Sequence, residues 1–140
     1  MKIGDSSVRP TVLLRVLVTD SGTSINDSLT ALLSDFEGLS VFGCTQEPAK
    51  VLTLVETVHP EVVILDLPAG NTTGLKILKQ IKRLPHAPVV IVLSHHDLPP
   101  LRAAAIAAGA DYFLIKATEC GRLQEVLHAL LRKFQEKRIV

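Results

Sequence analysis

The chain predicts an α/β fold: a doubly wound, five-stranded parallel sheet with five helices on its two faces. Three observations carry that prediction. Five short apolar runs recur along the chain, and three of them are rich in Val, Ile and Leu with little polar alternation, as strands buried on both faces read. Stretches with apolar spacing near 3.6 residues separate them, and strand–helix alternation implies parallel strands joined by right-handed crossovers. Proline falls between the runs rather than inside them, and so does every glycine except Gly43.

Each element follows in order. The first strand is read over Arg15 to Thr19, and the stripe Ile25, Leu29, Leu32, Leu33 and Phe36 marks the first helix. Leu39 to Cys44 is the second strand; Pro48 opens a helix with Leu52, Val55 and Val58 inward, and His59-Pro60 ends it. Val62 to Leu65 is the third strand, followed by a helix near Gly74 with Leu75, Leu78 and Ile81 on one side. Pro85 and Pro88 bracket the next loop, and Val89 to Leu93 is the fourth strand. Pro99 and Pro100 suit the first turn of an alanine-rich helix whose stripe is Leu98, Leu101, Ala105 and Ala108, and Gly109 suits a left-handed cap behind it. Tyr112 to Ile115 is the fifth strand, and Leu123, Val126, Leu127, Leu130 and Leu131 form the clearest stripe, on the last helix. That stripe suits packing on the sheet and, with the preceding helix, a homodimer.

Composition bounds the function. The 140 residues have room for one domain, read here as 11–140 behind a loose arm at 1–10, and 47% hydrophobic against 21% charged residues is a globular balance. Fifteen Lys+Arg against fourteen Asp+Glu leave a net charge of +1, without the basic excess of a domain built for direct nucleic-acid binding. The small cluster Arg132-Lys133 and Lys137-Arg138 reads as a solvated helix face, and Asn71-Thr72-Thr73 as a polar loop. Cys44 and Cys120 stand far apart, with no zinc spacing or disulfide framework. The amino-terminal MKIGDSSVRPTVLL has no long apolar region and no run approaches a bilayer span, so a cytoplasmic protein without membrane association is expected.

In an open parallel sheet, function gathers outside the carboxyl ends of the strands. Those ends carry Asp20 and Ser21, then Asp66, Ser94 and Lys116. Two carboxylates, a hydroxyl and an amine in one shallow cleft suit phosphoryl chemistry. A carboxylate can accept the group, a divalent cation held by acids and a backbone carbonyl can neutralise charge, and the hydroxyl and ammonium can each take a phosphoryl oxygen. There is no glycine-rich nucleotide loop, so the phosphoryl group is expected from a partner. Plainer readings stand beside these: Asp66 as a capping carboxylate, Ser94 as the cap of the helix near Pro99, Lys116 as a surface lysine and Phe113 as core. His95, His96 and Asp97 make a poor metal cluster because adjacent histidines point apart, and Leu93-Ser94-His95 lacks the glycine-flanked turn of a hydrolase nucleophile.

Over roughly residues 12 to 133 the chain resembles a receiver domain of the two-component response-regulator family. The residues that carry the resemblance are the acid in VLVTDS, the VVILDL strand with Gly74 eight residues after its acid, Ser94 in VVIVLS, and AAGADYFLIK with Lys116. The resemblance implies a flavodoxin-like five-stranded fold. It makes Asp66 the acceptor of a phosphoryl group from a histidine kinase or phosphotransfer protein, with Lys116 pairing the phosphate, and Ser94 and Phe113 the switch hydroxyl and aromatic that move together. It also implies Mg²⁺ held by Asp20, Asp66 and the Pro68 backbone carbonyl, a downstream protein target contacted through the last two helices, and a signalling rather than enzymatic role.

Four positions depart from the family pattern. Ser21 stands where a second acid is usual, which predicts weak Mg²⁺ binding. Gly70 replaces the usual proline four residues after the acceptor, His95 follows Ser94 where a small residue is common, and Ala117 follows Lys116 in place of a proline. Ser21, Gly70 and His95 motivate the alternative reading, a pseudo-receiver acting as a phosphorylation-independent interaction module. The chain ends soon after the last helix, so a receiver without an attached output domain is expected.

Overall fold

The structure is a computed structural model that describes residues 13–20, 33, 36–45, 47–67, 73–94, 97–115 and 120–139. Five strands run β1 (Leu14–Asp20), β2 (Leu39–Thr45), β3 (Val62–Asp66), β4 (Val89–Ser94) and β5 (Tyr112–Ile115). Among the described residues four helices alternate with them: α1 (Pro48–Val58), α2 (Thr73–Lys82), α3 (Pro99–Ala107) and α4 (Cys120–Ile139). The arm expected at 1–10 and most of the helix expected from Ile25 lie outside the described residues. Leu33 from that helix is helical and buried.

The sheet order is β2-β1-β3-β4-β5, with every pairing parallel. Such an order reverses direction beside β1, and the crevice at the carboxyl ends of β1 and β3 is the topological switch point. β3 is buried along its whole length and β4 along all but its first residue, which explains their unbroken apolar sequence. Four strands run one residue further than the sequence pattern suggested at their carboxyl ends, so Asp20, Thr45, Asp66 and Ser94 close their strands rather than follow them.

Alternation along the strands divides the core into two layers. Leu17, Val63, Leu65, Val90, Val92 and Phe113 face Val51 and Val55 of α1, Ile77, Leu78 and Ile81 of α2, and Ala105 of α3. Val16, Val18, Ile64, Ile91 and Leu114 face Leu33 and the α4 stripe Leu123, Leu127 and Leu131. On α1 the structure turns Val51 and Val55 inward and leaves Leu52 half-buried, a rotation of the expected stripe. On α3 only Ala105 is fully buried, while Leu98 and Ile106 are 41% and 51% exposed.

Local chemistry sets the helix ends. Pro48 and Pro99 occupy first turns, where a missing N–H costs nothing. His59 ends α1 in the left-handed region at φ 53°, donates its backbone N–H to Val55 O at 3.1 Å, and is followed by Pro60, which cannot continue the helix. Gly109 adopts φ 111° behind α3, the left-handed cap its sequence position suggested. At the amino-terminal edge of the sheet, Glu61 accepts hydrogen bonds from the Arg15 backbone N–H and from its guanidinium, both at 2.7 Å. This hydrogen bond, helped by the negative charge and opposed by burial, holds the Arg15 guanidinium above the ordinary arginine value.

Candidate functional site

Parallel register brings the two sequence-predicted acids level. β1 and β3 pair Val16 with Val62, Leu17 with Val63 and Val18 with Ile64, and two residues further along both strands stand Asp20 and Asp66. The Asp20 backbone closes β1; its side chain is outside the described residues, as are Lys116 and Pro68. Asp66 is only 6% exposed. A carboxylate drawn that far out of water is costly without compensation, so a partner charge or hydrogen-bond donors belong at this position.

The neighbouring strands supply the rest of the described surface. Asp66 is opposite Leu93, whose carbonyl accepts the backbone N–H of Leu67 at 2.9 Å, so β3 and β4 stay locked together to the last residue. Ser94 follows and is buried. β4 and β5 pair Val92 with Phe113 and Ser94 with Ile115, which sets Ser94 and Phe113 diagonally on one sheet face, the face covered by α3. Lys116 is the residue after Ile115 in sequence, next beyond the strand that pairs with Ser94.

Gly74 has a steric reason to be there. A Cβ at position 74 would collide with the Leu67 side chain, which is fully buried, and would stand 3.6 Å from the Asp66 carbonyl oxygen. The glycine eight residues after the acid therefore lets α2 start against the end of β3.

Two residues near the site escaped the sequence reading. Thr19, directly before Asp20, is buried, and its hydroxyl donates to the Ile64 carbonyl at 3.3 Å, tying β1 to β3 beside the acids. A lone polar residue inside an apolar strand was a visible signal for it. Arg102 on α3 lies over the Phe113 ring, 4.7 Å from its centroid, and no sequence spacing announces that contact.

Elsewhere, a groove of about 680 Å³ lies at the opposite, amino-terminal edge of the sheet, lined by Arg15, His59, Glu61, His86, Tyr112 and Lys133 among others and by none of the predicted site residues. Its place away from the switch point separates it from the carboxylate chemistry. Among the described residues no three His, Cys, Asp or Glu side chains gather as a metal site, a statement that does not reach the Asp20 side chain.

A family model for the response regulator receiver domain matches residues 16–128, which span all five strands. The chain belongs to that family. The receiver is 32% identical over 120 residues to the response regulator MprA of Mycobacterium sp. (strain KMS), a match covering 86% of this chain and 51% of that protein. It is 26% identical over 125 residues to a protein-glutamate methylesterase/protein-glutamine glutaminase of Methanospirillum hungatei JF-1, covering 88% of this chain and 36% of the other. The chain thus spans about half the length of one curated relative and about a third of the other. Among solved structures, the signal receiver domain of a LuxO repressor protein from Vibrio parahaemolyticus superposes with a TM-score of 0.75 at 23% identity, covering 91% of this chain and 97% of that one. The receiver domain of NarL from Mycobacterium tuberculosis gives 0.74 at 22% identity, covering 86% and 98%. These likenesses show the shared fold, and the family membership makes the chain a receiver of two-component signalling. No helix among the described residues is long and apolar enough to cross a membrane.

Proposed function

We propose that this receiver accepts a phosphoryl group on Asp66 from a histidine kinase or phosphotransfer protein and answers by changing its protein contacts. The observation that carries the reading is a nearly buried carboxylate closing the central strand β3, level with Asp20, at the switch point of a receiver sheet. In the transfer, an Asp66 carboxylate oxygen forms the new O–P bond as the P–N bond to the donor imidazole breaks, and the imidazole leaves with a proton. Ser94 and Lys116 each take a phosphoryl oxygen, the first by donating its hydroxyl and the second as an ammonium. Ser94 and Phe113, diagonal neighbours on one face, respond together.

The donor set fits Mg²⁺, a hard cation that takes carboxylate and carbonyl oxygens, with Asp20, Asp66 and the Pro68 carbonyl as the residues that would hold it. Bound there, the cation neutralises charge on the phosphoryl oxygens. Ser21 supplies a neutral hydroxyl where the family pattern usually has a second acid, so binding is weak.

Ser21 also supports a second reading, a pseudo-receiver whose surface engages its partner without phosphorylation. One experiment separates the two. The protein is incubated with acetyl phosphate or phosphoramidate and Mg²⁺, and intact mass is followed for wild type and Asp66→Ala. A phosphoryl mass gain lost in the variant supports the acceptor role; no gain in folded protein, with a known receiver labelled alongside, rejects it in favour of the pseudo-receiver.

A further inference from the structure

The switch aromatic is closed in by a residue of this chain's own. Phe113 is 5% exposed, and the Arg102 guanidinium carbon lies 4.7 Å from the centre of its ring. A guanidinium at that distance is held by the ring's quadrupole and stacks on its face. The same guanidinium donates to Asp97 Oδ1 at 3.2 Å. Asp97 belongs to the segment between β4 and α3, three residues after Ser94, while Arg102 belongs to the first half of α3.

Among the described residues Arg102 therefore touches both Asp97 and the Phe113 ring, and Asp97 follows Ser94 by three residues in the sequence. The Arg102 side chain is 42% exposed, so solvent is open to it once either contact breaks.

We propose that Arg102 is a positioning residue for the switch, a guanidinium latch that holds Phe113 in its buried position and ties that position to the segment following Ser94. The latch is a statement about Phe113 packing; its signalling consequence rests on the phosphoryl-switch reading above.

The test uses the full chain labelled with 4-fluorophenylalanine, which reports on four phenylalanines, with Phe113 assigned through Phe113→Leu. The ¹⁹F solvent isotope shift between H₂O and D₂O is read without any phosphodonor. In wild type the Phe113 signal should be nearly insensitive to solvent. In Arg102→Ala the solvent-exposed population should rise about two- to five-fold, the scale of a cation–π contact at an exposed site. Arg102→Lys, which keeps the cation, should restore part of the wild-type signal, and Asp97→Asn should fall between wild type and Arg102→Ala. Arg102 is a surface side chain, so melting curves should barely move. An unchanged Phe113 isotope shift in both Arg102→Ala and Asp97→Asn overturns the proposal. Because no donor is present, failure of Asp66 to label would reject the phosphoryl reading while leaving this measurement to stand or fall by itself.

Discussion

Asp111, just before β5, gives a prediction whose size follows from the structure. Its Oδ2 accepts the backbone N–H of Val90 at 2.8 Å and the Lys82 ammonium at 2.9 Å. Lys82 also donates to the Pro88 carbonyl at 2.9 Å, so it keeps a partner when the carboxylate is removed. The ion pair joins side chains 23% and 38% exposed, and such pairs contribute about 0.5 kcal/mol after screening. The bond to Val90 is part-buried, and losing the acceptor of an N–H there costs about 1 to 1.5 kcal/mol. Asp111→Ala loses both, roughly 1.5 to 2 kcal/mol, whereas Asp111→Asn keeps a carbonyl for Val90 and loses only the charge, about 0.5 kcal/mol. For a chain of this size 1 kcal/mol moves the melting temperature by about 3 to 5 °C, so thermal unfolding followed by circular dichroism should drop about 5 to 10 °C for Ala and about 2 °C for Asn. The gap between the variants should survive about 1 M NaCl, which screens the ion pair and spares the backbone bond. Equal losses in the two variants, or a gap that closes with salt, would refute the assignment of most of the energy to the Val90 N–H.

Other outcomes follow from single sites. Leu127→Ala empties a fully buried position under the sheet and should cost about 2 to 5 kcal/mol in urea unfolding, whereas Leu98→Ala, on the exposed start of α3, should cost under about 0.5 kcal/mol. Gly109→Ala places a side chain at φ 111° and 2.9 Å from Lys82 Cγ, so about 1 to 2 kcal/mol should be lost in the same assay. The raised Arg15 value has a defined sign: a cation favoured in the folded state stabilises in full below its unfolded value and loses that contribution only as pH rises through the folded one. Stability attributable to Arg15 should therefore stay flat between about pH 6 and 9, checked by comparing urea midpoints of wild type and Arg15→Ala across that range. Ser21→Asp should tighten Mg²⁺ binding by at least about 10-fold in a calorimetric titration if the missing acid is what weakens it.

Much of the fold was legible because a parallel sheet buries its strands on both faces and so leaves unbroken apolar runs alternating with helical stripes. Val62 to Leu65, Val89 to Leu93 and the Leu123, Leu127, Leu131 stripe were readable for that reason, and they form the centre of the two core layers. Asp66 and Ser94 stood out as polar residues ending apolar runs, and Gly74 as the start of a helix. The rotation of α1 that buries Val51 was not readable, because Val51, Leu52 and Val55 satisfy an apolar stripe in more than one phase. Nor was the exposure of Leu98 and Ile106, since a short alanine-rich helix can pack through Ala105 alone.

The sequence by itself determined that this chain is a doubly wound receiver with acids at the ends of its first and third strands, because strand periodicity and the residue closing each strand are local properties. Tertiary structure alone decided which of those ends are neighbours. The order β2-β1-β3-β4-β5 puts Asp20 level with Asp66 although they lie far apart in the chain, and β4 pairing with β5 puts Ser94 diagonal to Phe113. The same holds for Arg102 over Phe113: a crossover helix lies back over the strand that follows it only once the sheet has formed, and the spacing of the two residues alone does not announce their contact.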